Sequence, residues 1–278
     1  MAILTISQEM GSGGAEIGLT VATRLGYTYV DNEELLSRAQ RYGLAEDRLA
    51  RLVEDRPSWV ERFDAETRRC IMALQVVLYE FAQDDNVVLM GGGGQWLLRG
   101  VPHALRARIV APFPERVTRL TATLSAQGKE RVTPKIVAQF IRRDDIQKSA
   151  RMRYLFDVDL KDPGLYDVHI NTAVLSRGAA AVDLLADVAR QPEFSTTDAG
   201  RQLVADRALA SQVEVALAGH RDMRRRAIGV ESSHGVVTLE LPAGADPEVA
   251  LAVARGVTGV QNVTLRIAEI PMFSSFPG

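Results

Sequence analysis

The 278-residue chain has one cysteine, four lysines and no apolar stretch near the roughly 20 residues of a membrane-spanning helix. One cysteine cannot form an internal disulfide, so the fold rests on a packed core and not on cross-links. Cys70 itself lies in the apolar segment CIMALQVVLYEFA and reads as a small buried hydrophobe. An excess of one charge is also missing. The 33 Lys and Arg oppose 35 Asp and Glu, for a net charge of −2, which gives no whole-protein field for nucleic acid or an anionic membrane. Any anion site must be local. The opening run MAILTI has neither the charged flank nor the length of a secretory signal, and a cytoplasmic protein is the expectation. His103, His169, His220 and His234 are scattered without metal-ligand spacing, so no metal site is expected. The lysines are Lys129, Lys135, Lys148 and Lys161, so every basic side chain before residue 129 is an arginine or a histidine.

What is present is ordinary for a folded protein. With 46% apolar and 24% charged residues the chain can build a sizeable core, and its length suggests two domains at about 150 residues each. Over the first 190 residues short apolar runs alternate with helical patterns, as in a parallel sheet with crossover helices. Strands are expected at Ala2 to Ser7, Tyr27 to Val30, Asn86 to Met90, Ala107 to Val110 and Val168 to Ile170. Helices are expected at Gly14 to Leu25, from Asn32 to about Phe81 with breaks near Gly43 and Pro57, and at Glu115 to Ser125, Pro134 to Lys148 and Gly178 to Ala189. This is a three-layer α/β pattern with helices on both faces of the sheet. QPEFSTTDAG lacks apolar periodicity, and residues 193–202 are assigned as a linker. Beyond it a helix from Gln202 to Ala218, strands near Ala227 to Glu231 and at Val236 to Leu241, a helix at Pro247 to Arg255 and a strand at Val260 to Ile267 make a small αββαβ (α+β) unit over 203–268, followed by a tail at 269–278. Charge is even across the break, with 25 basic and 25 acidic residues before Glu193, and 8 and 10 from it onward.

Gly11, Ser12, Gly13 and Gly14 lie between the first strand and its helix. Glycines let backbone N–H groups converge on a phosphate, and the helix N-terminus adds partial positive charge. The competing reading is a tight turn without a ligand. The segments ITISQEMGSGG-x-EI, LGYTYVD, VVLMGGGGQWLLRG and DP-x-x-YDVHINT, in this order, resemble the cytidylate-kinase-like family, relatives of the nucleoside monophosphate kinases. The resemblance places a nucleotide-binding domain at 1–192. It implies a P-loop-type parallel sheet, phosphoryl transfer from ATP to a CMP-like nucleoside monophosphate, Mg²⁺ and a mobile lid. The chain departs from this pattern at informative places. A working P-loop reads G-x-x-x-x-G-K-[ST], whereas here the corresponding residues are Gly14 and Ala15, followed by Glu16. The family often carries arginine where this chain has Gln8, Ala15 and Gly92.

The resemblance gives the lid cations Lys148, Arg151 and Arg153 a catalytic role, and Lys148 and Arg151 share a helix face. A solvated helix that pairs these cations with Asp144 and Asp145 is the alternative. Arg116 and Arg119 match arginines near the donor nucleotide, and Asp31, Gly91, Gly93 and Gln95 fall on the acceptor side. Asp31 with Glu34 also forms a capping box for the next helix. Trp59 and Trp96 read as packing residues. The C-terminal unit resembles a BON domain through His234-Gly-Val-Val-Thr-Leu239, Ala250, Ala254, Gly259-Val260 and Val263, with Gly235 at a strand turn. That resemblance implies a module for a small ligand or for self-association into a homo-oligomer. Met272, Phe273 and Phe276 in the tail form either a docking segment or a frayed end. Two functions follow: a kinase-like enzyme, or a nucleotide- or anion-binding sensor whose degenerate P-loop no longer turns over.

Overall fold

The structure, a computed structural model, describes residues 2–42, 65–128, 132–174, 179–224 and 226–267. The expectations at Gly43, Pro57, Trp59, Gly178 and the tail lie outside these residues. Two sheets are present. The strands of the first are β1 (Ile3–Gln8), β2 (Thr28–Val30), β3 (Val87–Met90), β4 (Ala104–Val110) and β5 (Val168–Asn171), all parallel, in the order β2-β3-β1-β4-β5. The helices are α1 (Gly14–Leu25), α2 (Asn32–Ala39), α3 (Ala65–Gln83), α4 (Gly94–Leu97), α5 (Phe113–Ala126), α6 (Pro134–Phe156), α7 (Ala179–Ala189), α8 (Asp198–Gly219) and α9 (Pro247–Arg255).

β1 is central and buried on both faces, with Ile3, Leu4 and Ile6 inaccessible and Thr5 and Ser7 buried among them. Ile6, Val88, Ala107 and Ile170 pack on one side against Ile17 and Val21 of α1 and Val182 and Leu185 of α7. Ile3, Leu89 and Ala104 pack on the other against α2 and α3, with Cys70 buried among them. The chain winds from β1 outward to β2 and back to β3, then crosses β1 to reach β4. The direction of winding therefore reverses at β1, and in open α/β sheets ligands bind at the carboxyl ends of strands at such a point.

Three helices differ from the pattern-based expectation. α4 is new, a single turn after the glycine run. α6 continues two turns beyond Lys148 because the segment RMRYLF keeps forming helix until Asp157 stops it with φ 52. α8 starts at Asp198, within the stretch assigned as linker, because Thr197 caps it by accepting the Gly200 N–H at 3.1 Å.

The second sheet joins β6 (Gly229–Ser233), β7 (Val236–Leu241) and β8 (Asn262–Ile267). β6 and β7 are antiparallel across His234-Gly235, at φ 50 and 80, the conformation that two-residue hairpins favour. β7 and β8 are parallel across α9. α8 serves both sheets. Val204, Ala208 and Val215 join the core of the first, while Val213 and Leu217 join Val237, Leu239 and Ala250 in the core of the second.

At the amino end of the first sheet, His103 is 1% exposed, with its Nε2 at 3.4 Å from Asp85. Arg201 of α8 meets the same carboxylate at 3.4 Å. Burial pushes the His103 pKa down, with Asp85 opposing. The unfolded chain then binds the proton more readily than the folded one, so stability is complete above about pH 6.5 and falls as the pH drops below it. Thermal unfolding followed from about pH 7.5 to 5.5 is expected to show a declining Tm, with a flatter slope in His103→Gln.

Candidate functional site

β1 ends at Gln8, and the chain turns through Glu9–Gly13 into α1. Gly11 and Gly13 have φ 81 and 84, the left-handed region that glycine enters at little cost. A Cβ at Gly11 would lie 2.6 Å from the Arg116 carbonyl oxygen, and one at Gly14 would lie 2.6 Å from the Gln8 side-chain oxygen. Glycine is thus required by close approach as well as by dihedral. Ser12 is buried, and its hydroxyl has no hydrogen-bond partner. No side chain caps α1, so its first-turn N–H groups are available to an anion. Glu16 lies exposed on that first turn.

Three cations brace the carbonyl side of this loop. Lys148 Nζ lies 3.4 Å from the Gln8 carbonyl oxygen and 2.9 Å from Asp144. Arg116 donates to both oxygens of Asp145 at 2.9 and 2.8 Å and to the Met10 carbonyl at 3.4 Å, with Glu9 at 3.5 Å. Arg119 donates to the Thr172 hydroxyl and carbonyl, each at 2.8 Å, and to the Ser12 carbonyl at 3.4 Å. Arg108 is also buried, donating to the Ser7 hydroxyl at 2.6 Å with Glu9 at 3.8 Å. Burial alone would lower the Arg116 pKa, but hydrogen bonding to Asp145 and the charges of Asp145, Glu9 and Asp144 hold it above the ordinary arginine value. Burial lowers the Arg151 pKa, with Asp144 opposing. Around the loop the five cations Arg108, Arg116, Arg119, Lys148 and Arg151 stand against the four carboxylates Glu9, Glu16, Asp144 and Asp145, a small positive excess.

Beside the loop a cavity of about 380 Å³ opens between the carboxyl end of the sheet, α2, α3 and α6. Its walls are largely apolar, with Leu35, Ile71, Leu74, Met90, Met152 and Phe156 prominent. Asp31 lines it and also caps α2, accepting the Glu34 N–H at 3.1 Å. Burial, then Asp31, pushes the pKa of the Tyr29 hydroxyl up at the same wall. Gly91, Gly92 and Gly93 line the cavity with φ 72, 64 and 80. A Cβ at Gly93 would lie 2.8 Å from the Phe156 ring, and one at Gly94 2.3 Å from the Thr5 hydroxyl, so the run draws α4 tightly against β1. Gln95 lines the cavity and is 2% exposed, with its Nε2 3.7 Å from the Met152 sulfur and its Oε1 without a hydrogen-bond partner.

The expected site residues thus fall into three groups. Asp31, Gly91, Gly93, Gln95, Lys148 and Arg151 come together at the cavity. Gly11, Ser12, Gly13, Gly14, Arg116 and Arg119 form and brace the loop. Arg153 stands apart, exposed and 3.7 Å from Asp159. Sequence reasoning missed Arg108, Glu9 and the Asp145–Arg116 pair. Among the described residues no group of three or more His, Cys, Asp or Glu could hold a metal, and no helix is long and apolar enough to cross a membrane.

Residues 3–174, from β1 through the turn after β5, match the profile described as the cytidylate kinase-like family. The chain belongs to this family. The parallel sheet with its glycine loop is consistent with a P-loop kinase fold. Over 174 residues this cytidylate kinase-like chain is 25% identical to a cytidylate kinase of Thermococcus kodakarensis, covering 62% of this chain and 79% of that protein. It is 21% identical over 182 residues to a cytidylate kinase of Thermoplasma acidophilum, covering 64% and 88%. Among solved structures, an uncharacterized protein from Eubacterium ventriosum aligns at TM-score 0.48 with 16% identity, covering 68% of this chain and 95% of that one. Membership supports nucleoside monophosphate kinase-like chemistry with ATP. The matched span ends before α7, α8 and the second sheet.

Proposed function

We propose that this protein transfers the γ-phosphoryl group of ATP to a CMP-like nucleoside monophosphate held in the cavity. The observation that carries the reading is the position of Lys148. It reaches from α6 to the end of β1, beside the glycine loop, and supplies there a cation that the loop's own sequence lacks. An oxygen of the acceptor phosphate attacks the γ-phosphorus while the bond to the β–γ bridging oxygen breaks, releasing ADP. Loop N–H groups would hold donor phosphates, while Lys148 and Arg151 would stabilise the charge on the group in transit. The unpartnered Ser12 hydroxyl, the uncapped α1 and the excess of positive charge fit a polyphosphate. Mg²⁺ binds largely through phosphate oxygens and water, and Asp31 and Glu33 are the carboxylates that line the cavity. When bound, the ion neutralises charge on the transferring group.

A second reading is a nucleotide- or anion-binding sensor. Glycine in place of an acceptor-side arginine at position 92, with apolar walls around it, favours this reading. In it the C-terminal unit, read as BON-like and centred on residues 203–268, binds a small ligand or mediates self-association. The protein incubated with ATP, Mg²⁺ and CMP, UMP, AMP or GMP in turn is expected to form the matching diphosphate, with CMP preferred, and to show thermal shifts with the same nucleotides. Shifts without turnover favour the sensor, and neither result with any nucleotide rejects both.

A further inference from the structure

α8 does not line the cavity, yet it holds two elements that do. Arg207 of α8 donates to the Leu97 carbonyl at 2.8 Å, and the Tyr79 hydroxyl of α3 donates to the same oxygen at 3.1 Å. That oxygen is at the carboxyl end of α4, which carries Gln95 and follows the three left-handed glycines. A helix of four residues has no stability of its own, so its position is set by what grips it. Thr5 closes against Gly94 at one end, and Arg207 and Tyr79 clamp the other. α3 supplies Ile71, Leu74 and Gln75 to the cavity wall, while its Ala73, Val76 and Val77 share a core with Val204, Ala208 and Val215 of α8. The donor side is built differently. The glycine loop and its braces Arg116, Arg119 and Lys148 draw on β1, α5, α6 and the turn after β5.

We infer that Arg207 is a positioning residue for the acceptor half of the cavity, and that through it the helix leading into the C-terminal unit sets acceptor affinity independently of the donor. This rests on the reading of the cavity as the monophosphate site. The test uses the full chain with Arg207→Met, Arg207→Lys and Tyr79→Phe, titrating CMP and ATP–Mg²⁺ separately by calorimetry and recording Tm for each variant. Arg207→Met is expected to weaken CMP about tenfold, because a small misplacement of binding groups is costly, while ATP stays within about twofold. Arg207→Lys keeps a cationic donor and is expected to recover most of the loss. Tyr79→Phe removes one of the two clamping donors without emptying the core, and is expected to weaken CMP by a smaller factor in the same direction. Unchanged CMP affinity in Arg207→Met and Tyr79→Phe overturns the inference. So does weakening of CMP and ATP in parallel with a falling Tm, which is the signature of a general structural role. If the wild-type chain binds ATP but no monophosphate at all, the acceptor reading itself fails and this inference with it. Wild-type CMP binding that the variants leave intact removes only the inference.

Discussion

Lys148→Met is expected to lower the rate of phosphoryl transfer by about 10² to 10³, the usual cost of removing one preorganised charge donor from a transition state. Before Lys129 the chain has no lysine, and the residue after Gly14, where a P-loop lysine would stand, is Ala15. Lys148 brings its ammonium to 3.4 Å from the last carbonyl of β1, and Asp144, one turn earlier on α6, fixes it there at 2.9 Å. Lys148→Arg keeps charge but exchanges a compact ammonium for a planar fork, and is expected to fall between wild type and Lys148→Met. Single-turnover kinetics with saturating ATP isolates the chemical step. ATP affinity is expected to change far less than the rate, because the loop N–H groups that would hold the phosphates are untouched. A rate that survives Lys148→Met removes Lys148 from the mechanism.

Ala208→Asp is expected to unfold both sheets together. Ala208 is 1% exposed within the core that α8 shares with α3. Placing an uncompensated charge in such a position costs about 3–5 kcal/mol, a large part of the 5–15 kcal/mol that typically holds a domain together. Five positions along the helix, Val213 belongs to the other core, so loss of α8 from one side withdraws it from the second. Differential scanning calorimetry should show a single transition in the wild-type chain and a large fall in its Tm in the variant. Two separate transitions, with the second-sheet transition unmoved by Ala208→Asp, would show that the helix does not couple the cores.

Much of this arrangement is legible in the residues. The first strand, the glycine loop and α1 announce themselves because a continuous apolar run, left-handed glycines and an amphipathic helix each have a local cause. The capping role of Asp31 is equally local, since the capped N–H lies three residues away. Arg108 was missed because an arginine alternating with Ala107 and Ile109 suggests a solvent-facing position, whereas Ser7 on the neighbouring strand buries it. Asp145 and Arg116 lie 29 residues apart and meet only through the packing of α6 on α5. The role of α8 left one trace. Its apolar residues surround the helix instead of forming a single stripe, which is the pattern of a helix enclosed on more than one side. The start of that helix was hidden because Ser, Thr, Asp and Gly serve both linkers and caps, and only the Thr197 bond to Gly200 decides between them.

The bidentate pair between Arg116 and Asp145 grips α6 near its midpoint, and this gives the helix the mechanics of a lever. The arm from Asp145 back to Pro134 is roughly 16 Å long at 1.5 Å per residue, so a tilt of about 10° about the grip carries its end about 3 Å. Lys148, about 4.5 Å from the grip along the axis, would travel about 0.8 Å, and Arg151, about 9 Å from it, about 1.6 Å. Exposed Ile136 rides near the end of one arm and Phe156, which lines the cavity, at the end of the other, so such a tilt would shift a cavity wall while Lys148 keeps nearly constant aim.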